Sequence, residues 1–91
     1  MRRDRAEDFA VGALAWLAEA ELTDPFCDAT GLDAAEIRRS AGEPWFLGAV
    51  LDFVASSDDW VRRCCAAQGV PPETLMAARA ALPGGEQHHW T

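Results

Sequence analysis

The residue types in this 91-residue chain that are best suited to chemistry are its three cysteines and two histidines. Cys27 stands alone, Cys64 and Cys65 are adjacent, and His88 and His89 lie at the C-terminal end. Thiolates and imidazoles are the usual ligands of zinc, but zinc sites supply them in short pairs such as Cys-x-x-Cys. That spacing is missing here. We therefore expect no metal site and interpret the cysteines as small buried thiols.

The chain also lacks the motifs of familiar catalytic mechanisms. It contains no glycine-rich phosphate loop, no His-Glu-x-x-His and no Gly-x-Ser-x-Gly. The pair Ser56-Ser57 is typical of a helix boundary, and no sequence feature pairs a base with a nucleophile. We expect a protein without catalytic activity and without a cofactor.

Composition and charge narrow the class of protein further. The chain is 49% hydrophobic and 25% charged, as globular domains are, and it is rich in the helix formers alanine and leucine. A net charge of -7 repels nucleic-acid phosphates and anionic lipids. An odd number of cysteines, two of them adjacent, suits disulfides poorly. With no apolar run long enough for a membrane span, these features predict a soluble, cytoplasmic protein.

Helical periodicity and capping residues predict a single all-α domain over residues 1–83, followed by a flexible polar tail over 84–91. Residues 44–55 are apolar around nearly the whole helix, which predicts the centre of the core. Asp33 and Glu36 have the spacing of a capping box, and Gly31 and Gly69 are placed to end helices. The predicted bundle has about six short helices, at residues 5–21, 25–30, 34–41, 44–55, 58–68 and 71–82.

The two halves of the chain share a pattern. Aligning residues 13–37 with 50–75 pairs Leu17 with Val54 and, after one gap, Gly31 with Gly69. This pattern suggests two pseudo-repeated three-helix halves. The alternative is that alanine-rich helices ended by glycine resemble each other by chance, and the sequence leaves both interpretations open.

The stretch from Pro44 to Phe53, Pro-Trp-Phe-Leu-Gly-Ala-Val-Leu-Asp-Phe, is the most distinctive part of the sequence. With Gly-Leu-Asp at 31–33 and Gly-Val-Pro-Pro-Glu at 69–73, it resembles an uncharacterised bacterial family, domain of unknown function 3572. The likeness extends over about residues 13–82. It implies the helical fold and a bacterial setting, and it implies no active site because the family carries no assigned activity.

Asp52 is the polar exception in the apolar helix at 44–55. It shares a helical face with Trp45, Ala49 and Ser56, where a carboxylate could hold a basic partner. The interpretation we favour is that Asp52 meets solvent or forms a structural ion pair, and the sequence offers as partners Arg38, Arg39 or Arg62.

A helical domain of this size cannot bury all of its aromatic residues, so an aromatic surface patch is expected. The candidate partner-binding residues are Trp45, Phe46, Asp52 and Trp60. They lead to the hypothesis of a protein-interaction or adaptor module, with a basic protein partner favoured by the acidic surface. We expect a monomer or a weak homodimer.

The alternative function is a transcription-associated helix-turn-helix module that binds DNA. The run from Cys64 to Leu82 fits such a motif, with Gly69 in the turn and Leu75 as an inward anchor, and its first-half counterpart, Cys27 to Ile37, fits nearly as well. However, the second helix offers only Arg79 as a basic residue, whereas reading bases takes several basic or amide side chains. Nucleic acid is therefore the less favoured partner.

Overall fold

The helices form where local residue chemistry favours them. The structure, a computed structural model, describes residues 1–83, and within these residues there is no strand. The all-α prediction is thus confirmed, whereas the predicted tail over 84–91 lies outside the described residues. The six helices are α1 (Arg3–Glu19), α2 (Thr23–Thr30), α3 (Ala34–Ser40), α4 (Pro44–Ala55), α5 (Asp58–Ala67) and α6 (Glu73–Ala81).

Side-chain caps start two of the helices. At α3 the Asp33 carboxylate accepts from the Glu36 backbone N–H at 2.8 Å, and the Glu36 carboxylate accepts from the Asp33 N–H at 3.0 Å. This is the predicted capping box. At α5 the Ser57 hydroxyl accepts from the Trp60 N–H at 3.3 Å. Pro44 occupies the first position of α4, where its missing N–H costs no hydrogen bond.

Left-handed residues follow three of the six helices, and one of them, Glu21, explains a predicted bound that was wrong. Gly31 and Gly69 have φ of 78° and 72°, as expected for residues that follow α2 and α5. Helix α1 ends at Glu19, two residues early, because Glu21 adopts φ of 62°. Helix α2 begins at Thr23, two residues before the predicted Pro25, with Leu22 as its N-cap. Helix α6 begins at Glu73 rather than at residue 71, with Pro72 as its N-cap.

Helix α4 lies at the centre of the core, as its apolar sequence predicts. It packs against α1, α5 and α6 on one side and against α2 on another. Alanines at positions 6, 10 and 13 let α1 approach closely, and all three are fully buried. The buried face of α4 consists of Phe46, Leu47, Gly48, Val50, Leu51 and Val54.

The two halves of the predicted pseudo-repeat end equivalent helices in the same way, but their helices do not pack in the same way. Gly31 and Gly69 adopt the same left-handed conformation at equivalent places. Yet α4 packs against both α5 and α6, the other helices of its half, whereas α2 packs chiefly against α4 from the opposite half. The chain is thus one bundle organised around α4, and not two equivalent three-helix units.

None of the helices in the described part of the chain is both long enough and apolar enough to span a bilayer.

Candidate functional site

A series of aromatic rings runs along α4 and links three helices. The ring centroids of Trp45 and Phe46 are 5.8 Å apart, and those of Phe46 and Phe26 are 5.7 Å apart. Phe26 of α2 then meets Phe53 at 5.4 Å, and Phe53 meets Trp60 of α5 at 4.9 Å. Three of these four pairs are edge-to-face, the arrangement that the ring quadrupoles favour. The series attaches α2 and α5 to α4.

This series separates the residues that were predicted to form one patch. Phe46 is fully buried, so its assignment to a docking surface was wrong: it points inward, against Phe26. Trp45 is 52% exposed in the first turn of α4, and Trp60 is half-buried against Phe53. Trp45 and Phe53 lie on one helix about two turns, or about 12 Å, apart. Trp45 and Trp60 therefore belong to different parts of the surface.

The Trp60 end of the series opens into a surface groove of about 400 Å³, which we call the Trp60 groove. It lies between the last turn of α2, one face of α4 and the start of α5. This volume is within the range of ligand and peptide pockets, near the lower end. Two of the predicted site residues line it, Asp52 and Trp60, and the full lining consists of Ala29, Thr30, Ala49, Asp52, Phe53, Ser56 and Trp60.

The hydroxyl groups of the Trp60 groove are directed back to their own helices. Thr30 Oγ1 donates to the carbonyl oxygen of Phe26 at 2.8 Å. Ser56 Oγ donates to the carbonyl oxygen of Phe53 at 2.6 Å. Because each hydroxyl proton is already used, neither group needs a partner in the groove. The walls are thus largely apolar, and Asp52 provides the one charged side chain of the lining.

Asp52 forms a bidentate ion pair with Arg79 of α6. Arg79 Nε donates to Asp52 Oδ1 at 2.6 Å, and Nη2 donates to Oδ2 at 3.1 Å. The predicted partners, Arg38, Arg39 and Arg62, are all exposed and none of them is the partner seen. The physical reason is the packing of α6 against α4, which brings the Arg79 guanidinium beneath the Asp52 carboxylate.

Gly48 makes room for this guanidinium. Gly48 is buried, and a Cβ placed on it would lie 3.0 Å from Arg79 Nη1 and 3.2 Å from Cζ. A glycine one turn before Asp52, in an otherwise bulky apolar helix, is the sequence feature that could have indicated an inserted side chain. The sequence does not indicate which distant side chain would occupy the space beside Gly48. The sequence pattern itself indicates Arg79 only as a DNA contact of the helix-turn-helix.

Burial of Arg79 also bears on the helix-turn-helix hypothesis. Arg79 is the only basic residue of α6, and it is 8% exposed. Its guanidinium is bonded to Asp52 and turned toward the interior of the bundle. The helix that would enter the major groove therefore presents no basic side chain to solvent. Phosphate and base contacts both depend on such side chains.

The rim of the Trp60 groove is electronegative on balance, because two helix C-termini and nearby acidic side chains oppose a single helix N-terminus, that of α5. Helices α2 and α4 both end there, and neither has a basic residue in its last turn. The C-terminus of a helix carries a partial negative charge. Asp28, next to the lining residue Ala29, and Asp58, in the first turn of α5, are both exposed. Together with the net charge of -7, these features favour a cationic group at the rim.

None of the cysteines lines this groove. All three are free thiols, with Cys64 and Cys65 buried and Cys27 half-buried. Burial raises the pKa of the Cys64 thiol to about 11, and it also raises the pKa of Cys65. Neutral, enclosed thiols are poor nucleophiles and poor metal ligands. Cys64 and Cys65 therefore act as core residues of α5.

Residues 1–83 contain no group of three or more histidine, cysteine, aspartate or glutamate side chains placed to hold a metal ion. His88 and His89 lie outside the described residues.

Replacing Asp52 with alanine should destabilise the fold by about 2 kcal/mol, because it leaves the buried Arg79 charge without its carboxylate. The Asp52 side chain is 44% exposed, which keeps the loss below that of a fully buried pair. Arg38→Ala, at one of the predicted partners, should change stability by no more than about 0.5 kcal/mol. Urea denaturation measures both, and equal effects would contradict the assignment of Arg79 as the partner.

A thiol reagent applied to the native protein at about pH 8 should modify Cys27 and spare Cys64 and Cys65 until the chain unfolds. Because burial raises the pKa of the Cys64 thiol from 9.0 to about 11, the folded state holds this proton at pH values where the unfolded chain has lost it. The free energy of unfolding should therefore fall as pH rises from about 9 toward 11. Mass spectrometry of the labelled peptides and denaturation across this pH range provide the measurements. Fast labelling of Cys64 in the native state would contradict its enclosure.

Comparison with known proteins shows a family and supplies no activity. No curated protein and no solved structure matched the chain. One family model matched residues 3–85, which include all six helices and every residue of the Trp60 groove. It describes proteins of unknown function, and it agrees with the resemblance seen around Pro44 to Phe53. The chain belongs to this family, DUF3572.

Proposed function

We propose that this protein is an interaction module, without catalytic activity, that binds a basic segment of a partner protein in the Trp60 groove. The observation that carries the proposal is the combination of an aromatic, largely apolar groove with an electronegative rim. The three free thiols suit a reducing compartment, so we place the interaction in the cytoplasm.

The aromatic wall supplies the affinity in this proposal. The rings of Phe53 and Trp60 lie 4.9 Å apart at an angle of 31°, and each is half-buried. They are thus held in place before binding, while part of their apolar surface still meets water. Rigid aromatic residues of this kind often carry much of the binding energy at an interface. An apolar side chain of the partner would cover this surface, with Ala29 and Ala49 on the flanks.

The charge at the rim supplies the preference for a basic partner. The C-terminal ends of α2 and α4, with Asp28 and Asp58, attract lysine and arginine side chains and repel acidic ones. Asp52 is already paired with Arg79, so we assign it the role of a fixed, partly exposed carboxylate in the groove. Complementary charge at a rim raises the rate of association and makes binding weaken with salt.

DNA binding is the alternative, and no observation of the structure favours it. The net charge of -7 opposes phosphate contacts, and the one basic side chain of α6 is buried. A test of the proposal should still separate a protein partner from a nucleic acid.

Ala29→Arg is the variant that tests the groove with least risk to the fold. Ala29 is exposed on α2, and arginine is nearly as good a helix former as alanine. The new side chain would fill the groove where the partner's apolar side chain should bind, and its charge would repel the cations of a basic partner. Ala15→Arg, at an exposed position of α1 that does not line the groove, makes the same chemical change and serves as the control.

The tagged full chain is purified from its own cells at native expression level, with and without nuclease treatment, and recovered proteins are identified by mass spectrometry. We expect wild type and Ala15→Arg to recover the same basic partner, and Ala29→Arg to lose it by about tenfold or more. Circular dichroism checks that both variants fold. Recovery that Ala29→Arg leaves unchanged would overturn the proposal, and recovery abolished by nuclease would support DNA binding instead.

A further inference from the structure

Every residue that lines the Trp60 groove belongs to a helix or caps one. The backbone N–H groups of these residues are therefore already engaged, within a helix or at its cap. At the end of α4 the carbonyl oxygen of Phe53 accepts from both the N–H and the hydroxyl of Ser56. The carbonyl oxygen of Val54 accepts from the Ser57 N–H at 3.3 Å. The groove consequently offers side-chain surface and helix-end carbonyl groups, whereas the N–H groups of its lining residues are already used.

This limits the conformation of whatever binds there. An extended peptide gains affinity when its N–H and C=O groups pair with the edge of a sheet. Within residues 1–83 there is no strand, and so no edge of this kind. The two hydroxyls beside the groove, those of Thr30 and Ser56, already donate to carbonyl oxygens of their own helices. The C=O groups of an extended backbone pressed against these walls would lose water without gaining N–H or hydroxyl donors, which is costly.

We propose that the partner segment enters the Trp60 groove as an amphipathic α-helix. This inference rests on the proposed function, since it specifies the form of the same occupant. A helix satisfies its own backbone and presents apolar side chains at spacings of three and four residues. A groove of about 400 Å³ admits side chains from one face of such a helix, while the helix itself lies across α2 and α4. Its lysines and arginines then flank the apolar stripe and face the electronegative rim.

Peptide display on the full chain tests this inference. The library contains random peptides of about 16 residues, long enough for about four helical turns. Selection is run on Ala15→Arg and counter-selection on Ala29→Arg, so that enriched peptides depend on an open groove. The strongest binder is then synthesised in three further forms: with a side-chain staple on its solvent face, with proline at its centre, and with alanine at that same position.

We expect the enriched peptides to be basic and to repeat apolar residues at helical spacing. The staple should tighten binding about threefold or more by organising the helix in advance, the proline should weaken it about tenfold or more, and the alanine form should bind nearly as the parent does. Peptides that depend on the open groove but tolerate proline and are weakened by the staple would overturn the helix inference alone. Failure to enrich any peptide that depends on the open groove would overturn the proposed function, and this inference with it.

Discussion

The burial of one guanidinium constrains much of this structure. A charged group that is 8% exposed needs an opposite charge in ideal geometry, and Arg79 obtains it from both carboxylate oxygens of Asp52. It also needs space, which Gly48 supplies one turn earlier on the same face of α4. The pair fixes α6 against α4 and at the same time fixes the Asp52 carboxylate at the Trp60 groove. The core and the candidate site therefore share one interaction.

The form of the groove follows from α4. Most of this helix is covered by α1, α5 and α6, which leaves the strip of Ala49, Asp52 and Ser56 between the end of α2 and the start of α5. Small residues on this strip keep the floor open, and the paired rings of Phe53 and Trp60 form its aromatic side. Because α2 and α4 both end at the groove without a basic residue, an electronegative rim surrounds an apolar floor. This combination suits a basic amphipathic segment better than a small polar molecule.

Features that depend on neighbours within one turn could be predicted from the sequence. The capping box of Asp33 and Glu36, the left-handed Gly31 and the bounds of α4 are of this kind. Features that depend on distant neighbours could not. Trp45 and Phe46 are adjacent and equally apolar, but they point about 100° apart on the helix, so that one is exposed and the other buried. Arg79 is 27 residues from Asp52, and only the packing of α6 on α4 brings the two together.

The most direct test of the Trp60 groove as the binding surface is site-specific photo-crosslinking in the protein's own cells. A photoreactive amino acid is placed at Ala29 in one form of the chain and at Ala15 in another. The account predicts a discrete crosslinked protein from position 29 alone, attached through a basic segment identified by mass spectrometry. Equal crosslinking from both positions, or a partner captured only from position 15, would contradict it.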